Sequence, residues 1–340
     1  MRLATLLLPT ILLAHLCACA SPQVMVCEQS EHRLALMNAE EDWNQPDALI
    51  WQWQANDSPA IEPAHRSWFN HPTDAKPVLG GDFVLTTASG GGVALIRLED
   101  KAAVFYAYAG GNPHSAELLP DGAIVTASSS GNSLQLWRLD YRKSPIQKVE
   151  VPDAHGVCWD PANELLWVIG GEQLHSFRYV GLDGIPPLQW TASHDLPGAG
   201  GHDLQRRALS DDLVLTTVDG VWLFSPESLQ FQPHPLISDW TDVKSISEAP
   251  QSAPAGSPTL VVQAKNMASA DRSPNLPEGP LSEAWWSDQV LSADHNWTRD
   301  WVGSKFYKAR WWYERRSRKK FKPRLTIGVG FAGWLGVDPD

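Results

Sequence analysis

Six positions carry the residue types from which a site could be built. His114 in Pro-His-Ser-Ala, His155 in Ala-His-Gly-Val and His202 in Gly-His-Asp-Leu each stand at the head of a short apolar run. Lys76 in Ala-Lys-Pro-Val, Lys244 in Val-Lys-Ser-Ile and Lys308 in Tyr-Lys-Ala-Arg do the same. Three converging imidazoles can hold a divalent transition metal and leave a position open for water or substrate. The lysines opposite would then neutralise a carboxylate or sulfate. Without a metal, the same ring is a cationic pocket for an anionic ligand, with a histidine as general base. Clustered lysines repel one another, which lowers their pKa values and makes a neutral lysine base conceivable. Asp203 and Arg310 are further candidates at the mouth of such a pocket.

What must bring these residues together is a repeat. Asn112–Gly122 (NPHSAELLPDG) runs from a histidine through a short strand to a Pro-Asp-Gly turn, in which proline presets one dihedral and glycine accepts a positive one. The outline returns at Asp153–Asn163 and again at Gly200–Asp212. Around each copy lie further short alternating or apolar runs, such as Ala123–Ser130 and Ser133–Asp140, bounded by polar residues as strands are. Four strands at roughly forty-residue spacing is the signature of propeller blades. The first module, Val24 to Gln54, lacks an innermost strand, while Phe306–Tyr313 is a strand without a module. Pairing the two closes the ring and removes its open sheet edges. The expected fold is therefore all-β, a six-bladed propeller over 24–313. The innermost strand of each blade lines the axis, so the six positions should form a ring at one depth. Glu117, Cys158, Gln205 and Ser247 lie three residues further on. Their odd offset places them behind that ring unless a bulge intervenes.

Composition agrees with this reading and excludes others. The chain has 25 Gly and 26 Pro, many in turn clusters, and 17 Trp best read as packing between sheets. A formal net charge of -12 argues against nucleic acid as a partner. The triple glycine Gly90-Gly91-Gly92 reads as a strand connection, because no helix start or Lys-Ser/Thr pair follows as a phosphate loop requires. Arg2 and the apolar run Leu3–Leu16 make residues 1–19 an export signal. The sequence Leu16-Cys17-Ala18-Cys19 resembles a bacterial lipobox, with Cys19 the lipidated residue, although Cys17 departs from the pattern. Ala20 after it fits outer-membrane sorting, and free secretion after ordinary cleavage is the alternative. Cys27 and Cys158 are then expected as buried free thiols. Asn266–Pro280 reads as a long surface loop. Residues 314–340 read as a basic, then Gly-rich appendage, which is either simply solvated or in contact with anionic lipid or lipopolysaccharide.

Taken together, NPHSAELLPDG, TASGGGVALI (Thr87–Ile96), AHGVCWD, GGHDL, VKSI and YKARWW resemble the signature runs of a family of secreted bacterial and fungal β-propeller proteins of unknown function. The resemblance spans Val26 to Tyr313; it implies the fold and the ring residues but carries no activity. More loosely, a histidine-lined propeller is similar to certain polysaccharide lyases acting on uronic-acid polymers, several of them metal-dependent. Two functions follow as expectations. In one, a monomeric cell-envelope propeller binds an anionic small molecule or acidic saccharide through Lys76, Lys244, Lys308 and Arg310. His114, His155 and His202 then act as metal ligands or bases of a lyase or hydrolase. In the other, the propeller is a non-catalytic binding or scaffold lipoprotein and the His/Lys ring is a structural polar plug.

Overall fold

The computed structural model describes residues 21–251, 253, 255–264 and 286–312. The expected export signal with Cys19, the segment 266–280 expected as a loop and the expected tail 314–340 lie outside these residues. The strands form six four-stranded antiparallel sheets arranged as blades. Blade one holds β1 (Gln23–Glu28), β2 (Arg33–Asn38) and β3 (Leu49–Trp53). Blade two is β4 (Pro72–Val78), β5 (Phe83–Ala88), β6 (Gly92–Arg97) and β7 (Ala103–Tyr108). Blade three is β8 (Pro113–Leu118), β9 (Ile124–Ser128), β10 (Ser133–Trp137) and β11 (Gln147–Glu150). Blade four is β12 (Gly156–Asp160), β13 (Leu165–Ile169), β14 (Gln173–Tyr179) and β15 (Leu188–Asp195). Blade five is β16 (Asp203–Arg206), β17 (Leu213–Thr216), β18 (Val221–Ser225) and β19 (Gln230–Pro233). Blade six is β20 (Val243–Ser247), β21 (Leu260–Gln263), β22 (Gln289–Ser292) and β23 (Thr298–Asp300). The outermost strand, β23, is one the sequence did not mark.

The last of the described strands, β24 (Phe306–Trp312), completes blade one in the order β24-β1-β2-β3, so the chain closes its own ring as expected. Its pairing with β1 runs from Gln23↔Trp312 to Glu28↔Phe306.

The apolar patterning follows from blade geometry. Side chains alternate between the two faces of a strand, and both faces of a blade are covered by neighbours. On β5, Phe83 and Leu85 enter the cluster shared with blade three, together with Ile124 and Trp137. Val84 points the other way, to a cluster with Met25, Leu34 and Trp53 of blade one. On β9, Val125 and Ala127 meet Val157 and Leu166 of blade four. Such double-sided burial explains why the inner strands read as continuous apolar runs. Each fully buried Leu, Val or Phe contributes about 1.5–3 kcal/mol. Trp43, Trp137 and Trp167 are buried, as the packing role of the tryptophans requires, whereas Trp190 is exposed. Cys27 and Cys158 are free and buried.

Candidate functional site: the blade axis

In five of the six blades the chain segment entering the inner strand passes through a residue in the left-handed region: His71, Asn112, Asp153, Gly200 and Asp242, with φ between 48° and 67°. Asn, Asp and Gly are the residues that tolerate this conformation best. Two residues later the ladder is interrupted by a bulge at Thr73 in β4, His114 in β8 and Lys244 in β20. The matching positions in blades four and five are His155 and His202, each just ahead of the first ladder pair, Gly156↔Ile169 and Asp203↔Thr216. For β24 the match follows from bonds between blades. The Ile246 amide donates to Asp203 Oδ2 one blade back, and the Ala309 amide donates in the same way to Ser245 Oγ. Ala309 therefore corresponds to Ile246, and Tyr307 to Lys244.

This corrects the ring expected from the sequence. His114, His155, His202 and Lys244 do share one level, but Thr73 and Tyr307 complete it. Lys308 lies one residue deeper, level with Asp74, Ser115, Asp203 and Ser245. Lys76 lies three residues deeper, level with Arg310, Glu117, Cys158, Gln205 and Ser247, so that set is part of the axis and not behind it. Residue type cannot reveal such slips, because the register is set by backbone pairing and the bulge.

At the histidine level, the His114 and His155 rings are 4.3 Å apart between centroids, and those of His155 and His202 5.1 Å. Tyr307 flanks His114 at 5.6 Å. His155 Nδ1 faces two acceptors, the Asp153 carbonyl at 3.0 Å and Asp153 Oδ1 at 3.1 Å, so Nδ1 carries the proton. His114 Nδ1 similarly meets the Asn112 carbonyl and Ser129 Oγ, both at 3.3 Å. His202 Nε2 lies 2.9 Å from Lys244 Nζ, a donor only, and must accept. Burial, followed by the neighbouring His155 and lysines, holds the His114 pKa well below its ordinary value. Burial and then Lys244 do the same for His202. The His114 and His202 imidazoles are neutral and present lone pairs, which suits a donor better than an anion. The three histidines are 6–8 % exposed. Among the described residues, no three His, Cys, Asp or Glu side chains are placed to hold a metal ion together.

Below the histidines the axis is filled by ions. Arg310 Nη1 donates to Asp203 Oδ2 at 2.7 Å, Nη2 to Asp203 Oδ1 at 2.6 Å, and Nε to Asp74 Oδ1 at 3.1 Å. Lys308 Nζ donates to Asp203 Oδ1 at 3.1 Å and lies 3.8 Å from Asp74 Oδ2. Ser115 Oγ donates to Asp74 Oδ2 at 2.9 Å. Burial alone would raise the pKa of both carboxyls. Arg310 and then Lys308 outweigh it and hold both below the usual range. Deeper still, Lys76 Nζ donates to Glu117 Oε2 at 2.9 Å and to the Val157 carbonyl at 2.6 Å. Burial opposes the charge on Lys76, but Glu117 raises its pKa. Two of the hollows on the surface are lined by Arg97, Val104 and Arg142 and by Asn132, Lys148 and Glu150, away from the axis.

Sequence reading missed Asp74 altogether and placed Asp203 only at the rim. The signal was present in the immediate succession Thr73-Asp74 and His202-Asp203, once the bulge positions are aligned.

A six-bladed ring closed by its own C-terminal strand, with buried ion pairs along its axis, defines the class. The chain belongs to the family of unknown function DUF6528, whose model matches residues 18–276. A protein of unknown function from Bacteroides caccae shares the fold at a TM-score of 0.53 and 12% identity, over 86% of this chain and 99% of that one. A functionally unknown protein from Desulfotomaculum acetoxidans gives 0.50 and 14%, over 72% and 73%. Hydrazine synthase of Kuenenia stuttgartiensis gives 0.46 and 12%, over 65% of this chain and 62% of that chain. At these identities the likeness concerns the fold alone. Comparison with curated protein sequences gives no match.

Proposed function

We propose that the chain is a cell-envelope propeller acting as a non-catalytic binding or assembly module, and that its His/Lys axis is a structural polar plug. One observation carries this reading: the cations expected to receive an anionic ligand are bound within the protein. Arg310 and Lys308 are held by Asp74 and Asp203, Lys76 by Glu117 and the Val157 carbonyl, and Lys244 bonds His202. An acidic saccharide entering the axis would have to displace these partners. Breaking a buried pair costs about 3–5 kcal/mol. The neutral imidazoles of His114 and His202 supply no compensating positive charge. The anchoring half of the proposal rests on the leader and Cys19.

The axial test uses sulfate, glucuronate and galacturonate as probes in thermal unfolding. A plug predicts no specific rise in Tm. A saturable rise that disappears in Lys76→Met would overturn it and restore the anion pocket. For the anchor, Cys19→Ala should release the protein from the membrane fraction, and unchanged fractionation would remove the lipid.

A further inference from the structure

The triple glycine, unexplained by any role on the axis, supports an aromatic surface on the same end of the propeller as the histidines. A Cβ on Gly90 would lie 2.4 Å from the Ser67 carbonyl oxygen, and one on Gly92 2.8 Å from the Phe69 ring. The 3-10 helix Pro63–Phe69 therefore sits directly on this turn. Gly91, at φ 104°, has the ring of Tyr108 over it, where a Cβ would meet a ring carbon at 2.3 Å. Gly110 approaches the same ring from the other edge. Glycine is needed here for close approach and for the positive φ.

The result is a fixed pair of rings. Tyr108 is 53 % exposed, and Trp68 stands beside it with centroids 5.1 Å apart and planes at 50°. Trp68 is stacked from behind by His65 at 3.8 Å and 17°. His65 is itself fixed by Tyr106, whose hydroxyl lies 3.3 Å from Nδ1, and has Glu62 3.9 Å from Nε2. Two adjoining aromatic side chains, Tyr108 half-exposed and Trp68 partly so, are thus braced by backbone, by His65 and by a buried tyrosine.

We propose that Trp68 and Tyr108 form a stacking site for a neutral saccharide. Tyrosine and tryptophan combine an apolar face with a polar tip. A sugar ring matches that pattern, with C–H groups on its face and hydroxyls around its rim. Nucleobases also stack, but they arrive with phosphates, which a chain of formal net charge -12 repels. The same charge disfavours acidic sugars. Preorganised rings lose little freedom on binding, which favours affinity from a small contact. The site deepens the binding role proposed above by naming its ligand class and its place, and it does not depend on the plug.

Titration of tryptophan fluorescence with cello-, xylo-, malto- and chito-oligosaccharides tests it. Wild type should bind at least one of the four in a saturable way. Trp68→Ala and Tyr108→Ala should each weaken that binding at least tenfold, with Tyr108→Phe close to wild type. Gly91→Ala, which displaces the Tyr108 ring, should weaken it as well. Arg310→Met separates the two proposals: it lowers Tm and leaves saccharide affinity unchanged. No binding to any of the four, or binding that both alanine variants retain, overturns the assignment.

Discussion

Arg310 grips Asp203 with both arms of its guanidinium, at 2.7 and 2.6 Å, from a strand that is not next to that of Asp203. Arg310 belongs to blade one and Asp203 to blade five, so the pair spans the axis past blade six. The same arginine reaches Asp74 of blade two and the Ile246 carbonyl of blade six. Two residues earlier, Lys308 adds the His114 carbonyl of blade three, at 3.4 Å. The strand that closes the ring thus carries the cations that tie blades two, three, five and six together. Ring closure and axial neutralisation are one event: until β24 docks, Asp74 and Asp203 lack these counterions.

Removing one side of this pair should be costly. Asp203→Ala leaves Arg310 and Lys308 buried with one carboxylate fewer and is expected to lower stability by about 3–5 kcal/mol. Replacing both partners, Asp203→Leu with Arg310→Met, should cost less than the sum of the two single changes, because neither leaves an uncompensated charge. Urea unfolding of the four proteins of this cycle measures the coupling. Additive losses would show that the pair acts as two independent groups.

The neutral histidines make the fold sensitive to mild acid. His114 and His202 have pKa values held below 6.5 by burial and by the adjacent His155 and lysines. Below that pH the unfolded chain binds protons that the folded chain does not, so stability is full above about 6.5 and falls as pH drops. Each histidine contributes roughly 1.4 kcal/mol per pH unit until its folded pKa is reached. Glu117, whose pKa burial raises, works in the opposite sense. The measurement is therefore a comparison of Tm between pH 7.5 and 5.5 for wild type and His114→Gln, and the variant should show the shallower slope.

How far all this was legible in the sequence depends on what each signal encodes. Blade count and ring closure were legible, since a buried strand leaves an apolar run and turns leave Gly, Pro and Asp. Thus Phe306–Tyr313 could be assigned to the first blade from its lack of any other partner. The histidine level was legible for His114, His155, His202 and Lys244, where the flanking residues repeat. It failed at Lys76 and Lys308, because depth along an axis is fixed by backbone register, and Thr73 and Tyr307 look nothing like histidine. Asp74 was missed for a further reason: its place beside Thr73 signals nothing until the bulges are aligned, and the partners that bury its charge come from blades one and three. Nor could the triple glycine be understood locally, since what requires it is the Ser67–Phe69 backbone and ring, more than twenty residues back, together with the ring of Tyr108, seventeen residues on from Gly91.

Two thiols deep in the molecule should be inert. The Cys158 pKa is pushed up to about 12 by burial and then by Glu117, and that of Cys27 is raised by burial and then by Asp74. Only thiolate reacts appreciably. Native protein treated with iodoacetamide at pH 8 should leave both unmodified by peptide mass mapping, and both should be alkylated in 8 M urea. Rapid native labelling of Cys158 would mean that the Lys76–Glu117 end of the axis opens to solvent.

Closure has a second latch at the rim, and it can be tested separately from the axis. Glu28, fully buried, accepts the amides of Ser30 at 2.7 Å, Glu31 at 3.1 Å and Lys305 at 3.1 Å. It also accepts the hydroxyl of Ser30 and Arg33 Nε, the latter at 3.1 Å. One carboxylate thus shapes the β1–β2 turn and pins the residue that leads into β24. Hydrogen bonds to a charged group contribute about 1.5–3 kcal/mol each, not additively. Glu28→Gln keeps the shape, removes the charge and turns an NH2 toward donors, so a loss of roughly 2–4 kcal/mol is expected. The decisive readout is where the loss appears. If Glu28 latches the closing strand, amides of Tyr307–Trp311 should exchange faster in the variant, while those of β9 and β13, far around the ring, hold until global unfolding. Uniform acceleration through all six blades would make Glu28 an ordinary stabilising residue and leave closure to Arg310 and Lys308 alone.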